Sequence, residues 1–200
     1  MQTTHIIPSV SVNYATNGNS TKPNELGMRA MQARVYDRRG EQYLLIKSPP
    51  ASGKSRALMF VALDKLHRQG VKKAIIVVPE KSIGASFNDE PLSKYGFWAD
   101  WVVAPQWNLC NAAGEDGGKV NSVQAFLASS DRTLVCTHAT FRFALDRLGV
   151  AAFDDCLIAI DEFHHVSADE TSRLGQLLRG VIANSSAHVV AMTGSYFRGD

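Results

Sequence analysis

The most reactive pattern in the chain is Ser48-Pro-Pro-Ala-Ser-Gly-Lys-Ser55, which ends on a lysine and a hydroxyl side by side. An apolar run precedes it and a helical pattern follows. In that setting Pro50, Ala51, Ser52 and Gly53 form a turn whose backbone amides, with the helix N-terminus, face phosphate oxygens. Lys54 can neutralise the beta and gamma oxygens, Ser55 can take a ligand position on Mg2+, and Arg56 on the same helix turn is a further candidate for binding the nucleotide. The tripeptide alone decides little, because G-K-S or G-K-T turns up by chance in roughly one chain in ten of this length.

A second pattern gives it weight. Cys156-Leu-Ile-Ala-Ile is an apolar strand that delivers two adjacent carboxylates, Asp161 and Glu162, at its end. Asp161 can hold the Mg2+ bound to phosphates, and Glu162 can orient and deprotonate an attacking water. Alone, such a pair would read as a solvated turn. With both patterns on suitable elements, the residues point to a nucleotide hydrolase.

The elements that must position these groups alternate regularly. Apolar runs bounded by turn signals at 43–46, 74–78, 101–104, 133–136, 156–160 and 188–192 predict strands. Helical spacing runs over 54–68, with Gly70 as its stop, and through Leu174, Leu177, Leu178, Val181 and Ile182. Strands alternating with helices imply an α/β fold with a parallel sheet covered on both faces. Residues 1–24, rich in Ser, Thr, Asn and Gly, read as a loosely ordered leader with a short strand at 10–14. Residues 25–200 form one domain, in which 111–119 is expected as a flexible surface loop.

Charge excludes a strong global attraction to nucleic acid: 21 Lys and Arg against 19 Asp and Glu leave a net charge of +2. Any such contact must be local. The three cysteines, Cys110, Cys136 and Cys156, lack metal-ligand spacing, and two sit in apolar runs, as expected of buried reduced thiols in a cytoplasmic protein. No run approaches the roughly 18 apolar residues of a membrane span.

Over 25–200 these residues resemble the superfamily-two DEAD/DEAH-type helicases and translocases, in particular the first RecA-like motor lobe. The resemblance implies a three-layer RecA-like P-loop NTPase domain with a mainly parallel central sheet. SPPASGKS is similar to motif I of that family, with Ser48 in the place of an alanine and Ala51 in the place of the first glycine. A methyl group there crowds the backbone if the position needs a positive φ. Asp161-Glu-Phe-His164 resembles the DEAH form of motif II, with Phe163 in the alanine position, so that His164 becomes a relay towards motif III. His165 reads as ordinary loop polarity.

Met192-Thr-Gly-Ser195 stands where the family carries S-A-T or T-A-T. Thr193 and Ser195 retain the hydroxyls that couple nucleotide state to closure of the lobes, and Gly194 replaces the alanine. Arg29-Ala-Met-Gln32 resembles the R-x-x-Q element, in which the Gln32 amide satisfies an adenine edge, so the resemblance implies ATP. Lys81 and Ser82 fall at motif Ia and Thr137, followed by His138, near motif Ib, where the family touches the nucleic-acid backbone. Trp98, Trp101 and Trp107 fit packing better than base stacking.

The variation around DEFHH is nearest in tone to restriction-type motor subunits, which implies DNA over RNA. The family places a second RecA-like lobe, with an arginine finger, in the same longer chain or in a partner. The expected function is therefore the ATP-binding lobe of an ATP-dependent nucleic-acid helicase or translocase, weak in hydrolysis when isolated. The alternatives are a P-loop ATPase that does not act on nucleic acid and a non-catalytic nucleotide-gated platform.

Overall fold

The computed structural model describes residues 9–11, 23–49, 51–111, 116–164 and 173–194. Along the chain these form β1 (Ser9–Ser11), α1 (Ala30–Asp37), β2 (Tyr43–Lys47), α2 (Lys54–Arg68), β3 (Lys73–Val78), α3 (Asp116–Ala128), β4 (Thr133–Thr137), α4 (His138–Leu148), β5 (Cys156–Ile160), α5 (Arg173–Asn184) and β6 (His188–Thr193). The six strands make one sheet in the order β1-β2-β6-β5-β3-β4, with every pairing parallel.

Burial explains why the central runs are so apolar. Every residue of β3 and β5 is buried, as a parallel sheet with two covered faces requires. Their side chains alternate between two cores. Ala74, Ile76, Val78, Leu157 and Ala159 pack with Leu58 and Phe60 of α2 and Met31 of α1. Ile75, Val77, Ile158 and Ile160 pack with Phe126 of α3, Phe141 of α4 and Val181 of α5. The molecule is thus a three-layer α/β domain.

α2 is the most enclosed helix, buried continuously from Ala57 to Leu66. It stops where expected, with Gln69 as C-cap and Gly70 at φ +74. Near that end lies the fully buried Lys65. Its ammonium donates to Glu41 O at 2.8 Å and to Gln69 Oε1 at 3.4 Å, and lies 2.8 Å from His188 Nδ1 at the start of β6. Burial pulls the lysine down to about 8, and burial together with the Lys65 charge takes His188 down to about 4.

Two expectations are corrected. Residues 101–104 add no strand to the sheet. Trp101 forms an isolated antiparallel bridge with Glu90, within an excursion after β3 that contains 3-10 turns at Lys81–Phe87, Leu92–Tyr95 and Pro105–Trp107. Trp101 and Val103 of the run enter the core while Val102 is exposed: Trp101 is fully buried, and its Nε1 donates to Phe87 O at 3.0 Å. Second, 116–119 are no loop but the first turn of α3. Gly117 and Gly118 hid that start, while Val120, Val123 and Phe126 anchor the helix in the core. Residues 112–115 lie outside the described residues.

Of the expected 10–14 strand, Ser9–Ser11 is seen, and 12–14 lie outside the described residues. All three cysteines are buried free thiols, and burial pushes Cys156 up to about 11. Trp98 packs between Phe97 and the Arg68 guanidinium, and Trp107 donates to Asp131 Oδ2 at 2.6 Å. Among the described residues no helix is long and apolar enough to cross a membrane.

Candidate functional site

In a parallel sheet all carboxyl ends lie on one edge. The order β2-β6-β5 therefore brings together the loops that follow those three strands, although they are far apart in sequence. Residues 48–53 leave β2, Gly194 leaves β6, and 161–164 leave β5.

The loop after β2 is held from several sides. Ser48 N–H donates to Thr193 O at 3.1 Å, fastening the loop to the end of β6. Within it, the Ser48 hydroxyl donates to Ser52 Oγ at 2.7 Å, and both serines are buried. Ala51 lies at φ +58, so the position does need the left-handed backbone that its methyl group disfavours. Gly53 caps α2 at φ +86. A Cβ on Gly53 would stand 2.6 Å from Gln32 Nε2, so a side chain there would both strain the backbone and displace the Gln32 amide.

Gln32 has a role that spacing alone did not reveal. It is buried, its Oε1 accepts Arg29 N–H at 2.8 Å, and its Nε2 donates to Gly53 O at 3.1 Å. The side chain braces the start of α1 against the start of α2 and keeps one N–H for another acceptor.

Lys54 and Glu162, 108 positions apart, meet at 3.2 Å between Nζ and Oε1, with the lysine side chain 9% exposed and the glutamate 25%. Glu162 itself stands at φ +49. Its N–H donates to Asp161 Oδ1 at 2.9 Å, and its Oε2 accepts Gly194 N–H at 3.4 Å. His164 Nδ1 lies 3.2 Å from Glu162 Oε2 and 3.2 Å from Thr193 Oγ1. Asp161 is buried, with its N–H donating to Val77 O at 2.8 Å. Burial raises its carboxyl above the usual range, the neighbouring Glu162 charge adds to this, and the Glu162 N–H and Lys54 oppose it.

So Lys54, Asp161, Glu162, His164 and Thr193 form one cluster beside the loop braced by Gln32. Arg56 is paired with Glu90 and lies 5.1 Å over the Tyr95 ring. The Thr137 hydroxyl caps α4 by accepting Thr140 N–H at 3.2 Å. Lys81 and Ser82 begin the 3-10 segment after β3, and their side chains lie outside the described residues, as do Pro50, His165 and Ser195.

The donor set suits a hard cation. Ser55 and Asp161 offer oxygen ligands, and the described residues contain no cluster of three or more His, Cys, Asp or Glu. Mg2+ needs no such cage, since it keeps waters and takes substrate phosphates as ligands.

The sheet order, the glycine-capped loop before α2 and the acidic pair after β5 define a RecA-like α/β domain. The chain belongs to the DEAD/DEAH box helicase family, whose description matches residues 29–198. It is 59% identical over 191 residues to a Bacillus subtilis (strain 168) protein named "Putative ATP-dependent helicase YeeB", covering 96% of this chain. It spans about a third of that relative, 32% of its length. In fold it is similar to the crystal structure of the Pyrococcus furiosus Hef helicase domain, with a TM-score of 0.61 at 19% identity over 84% of this chain and 33% of that one.

Proposed function

We propose that the chain is the first motor lobe of an ATP-dependent helicase or translocase that moves on DNA, in a cytoplasmic protein, with residues 25–200 as the lobe and 1–24 as a leader whose Ser9–Ser11 adds the edge strand β1 to the sheet of the lobe. The observation that carries this reading is the 3.2 Å contact between Lys54 and Glu162. It sets a phosphate-binding cation against a candidate base at the mouth of one loop.

On this reading the triphosphate of ATP lies along 50–55, its beta and gamma oxygens taking over the Lys54 ammonium. Glu162 then turns to the attacking water and removes its proton. Ser55 and Asp161 would hold Mg2+, which would supply charge neutralisation at the transferring group. A cation beside Asp161 also favours the charged carboxylate that burial opposes. Gln32 spends its remaining N–H on the adenine, and Arg56 flanks the nucleotide. His164 and Thr193, with Ser195, pass the state of the gamma phosphate to a second RecA-like lobe in the same or a partner chain. Lys81, Ser82 and Thr137 hold the DNA backbone.

ATP turnover with and without duplex DNA, single-stranded DNA and RNA tests this reading. Stimulation by DNA above RNA is expected. Turnover indifferent to nucleic acid would instead support an ATPase acting on another substrate. The left-handed Ala51 favours a second reading, a nucleotide-gated platform, for which nucleotide binding without turnover in any assembly would speak.

A further inference from the structure

His138 opens α4 directly after Thr137, and its Nε2 lies 2.9 Å from the carbonyl oxygen of Asp161. A carbonyl only accepts, so Nε2 carries the hydrogen. That carbonyl belongs to the peptide joining Asp161 to Glu162, whose φ is +49. A non-glycine residue stays in that region only where its surroundings over-determine it. Val77 O takes the Asp161 N–H, Asp161 Oδ1 takes the Glu162 N–H, and His138 fixes the carbonyl between them. The first two contacts come from the neighbouring strand and from the pair itself. His138 is the one of the three that comes from beyond the neighbouring strand, reaching across the end of β3, which lies between β4 and β5.

The other side of His138 is the proposed nucleic-acid loop. The Thr137 hydroxyl accepts Thr140 N–H at 3.2 Å and lies 3.1 Å from Thr140 Oγ1, forming the cap of the helix that His138 begins. A phosphate oxygen that takes the Thr137 O–H leaves the lone pair accepting Thr140 N–H in place, so the bound phosphate is linked through that hydroxyl to the first turn of α4, which adjusts to it. That adjustment reaches the Asp161 carbonyl through one side chain.

We propose that His138 is a positioning residue that couples occupancy of the Thr137 loop by a nucleic-acid backbone to the orientation of the Asp161–Glu162 peptide. This rests on the reading of Thr137 as a phosphate contact and of Glu162 as the base. Because binding linkage is reciprocal, the coupling is measurable without turnover.

The test measures the affinity of this chain for a labelled DNA oligonucleotide, with and without a saturating non-hydrolysable ATP analogue and Mg2+. The ratio of the two affinities is expected to be at least about fivefold in the wild type and about unity in His138→Ala, with nucleotide affinity within about twofold. His138→Gln, whose amide nitrogen has the reach of Nε2, should restore the ratio. His138→Asn, which is too short, should not, and it repeats the test should the alanine variant fail to fold. A ratio retained in both His138→Ala and His138→Asn overturns the proposal, as does a glutamine variant no better than alanine. So does a wild-type ratio of unity when both ligands bind. A folded wild type that binds no nucleotide would instead sink the functional reading on which the proposal rests.

Discussion

The ammonium of Lys54 and the carboxylate of Glu162 neutralise each other at 3.2 Å across the edge of the sheet, joining the helix after β2 to the loop after β5. Each is the other's counter-ion, so replacing either changes the charge seen by the one that remains. Substituting Glu162 by Gln keeps the side-chain shape and leaves Lys54 its full charge for phosphate. Mg-ATP affinity should be retained or rise, while turnover falls by about 10²-fold or more, the scale of a lost general base. Loss of nucleotide binding in this variant would contradict the assigned role.

Ala51 holds a left-handed backbone at φ +58. Replacing it with Gly removes a penalty of about 1–2 kcal/mol and adds an unfolded-state entropy cost of about 0.5–1 kcal/mol. Ala51→Gly should therefore be more stable by about 0.5 kcal/mol in chemical denaturation, with nucleotide binding intact. Ala51→Val, β-branched, should be less stable than either. The reverse order would mean that the loop relaxes to a different backbone.

The two site glycines separate cleanly. At Gly53 a methyl group meets both φ +86 and the Gln32 amide at 2.6 Å, and Ala there should cost about 2 kcal/mol or more and loosen the brace. At Gly194 the nearest atoms are Glu162 Oε2 at 3.7 Å and Lys54 Nζ at 3.8 Å, ordinary contacts that a methyl group can fill. Thermal melts should rank Gly194→Ala close to wild type and Gly53→Ala well below it. This agrees with alanine as the family's usual residue at 194.

His188 gives the fold a pH dependence unrelated to the site. Its folded pKa of about 4 lies below the ordinary 6.5, so between these values the unfolded chain binds the extra proton. Stability should thus fall as pH drops from about 6.5 towards 4. His188→Gln, which keeps an acceptor for the Lys65 ammonium, should flatten that part of the profile in denaturation midpoints. An unchanged slope would place the acid sensitivity elsewhere.

Much of this was legible in the sequence. The runs that became β3 and β5 are continuous in apolar residues because both faces of the sheet are covered, and that burial is what the pattern reports. Gly53-Lys54-Ser55 and Asp161-Glu162 stood out because their residue types seldom serve a core. Trp101 and Val103 misled because burial in an irregular excursion leaves the same apolar signal as a strand. The glycines of α3 misled in the other direction. The Lys65–His188 contact joins residues 123 apart, and the Gln32 brace depends on how α1 meets α2. Neither relation has a local signature, since tertiary approach alone creates it.

The central claim is that the loop from Ser48 to Ser55 binds the phosphates of ATP despite Ala51. A calorimetric titration of the chain with Mg-ATP, beside its Lys54→Ala variant, tests it most directly. The account predicts saturable one-to-one binding in the wild type and none in the variant. Equal binding by both folded proteins, or no binding by either, would contradict it.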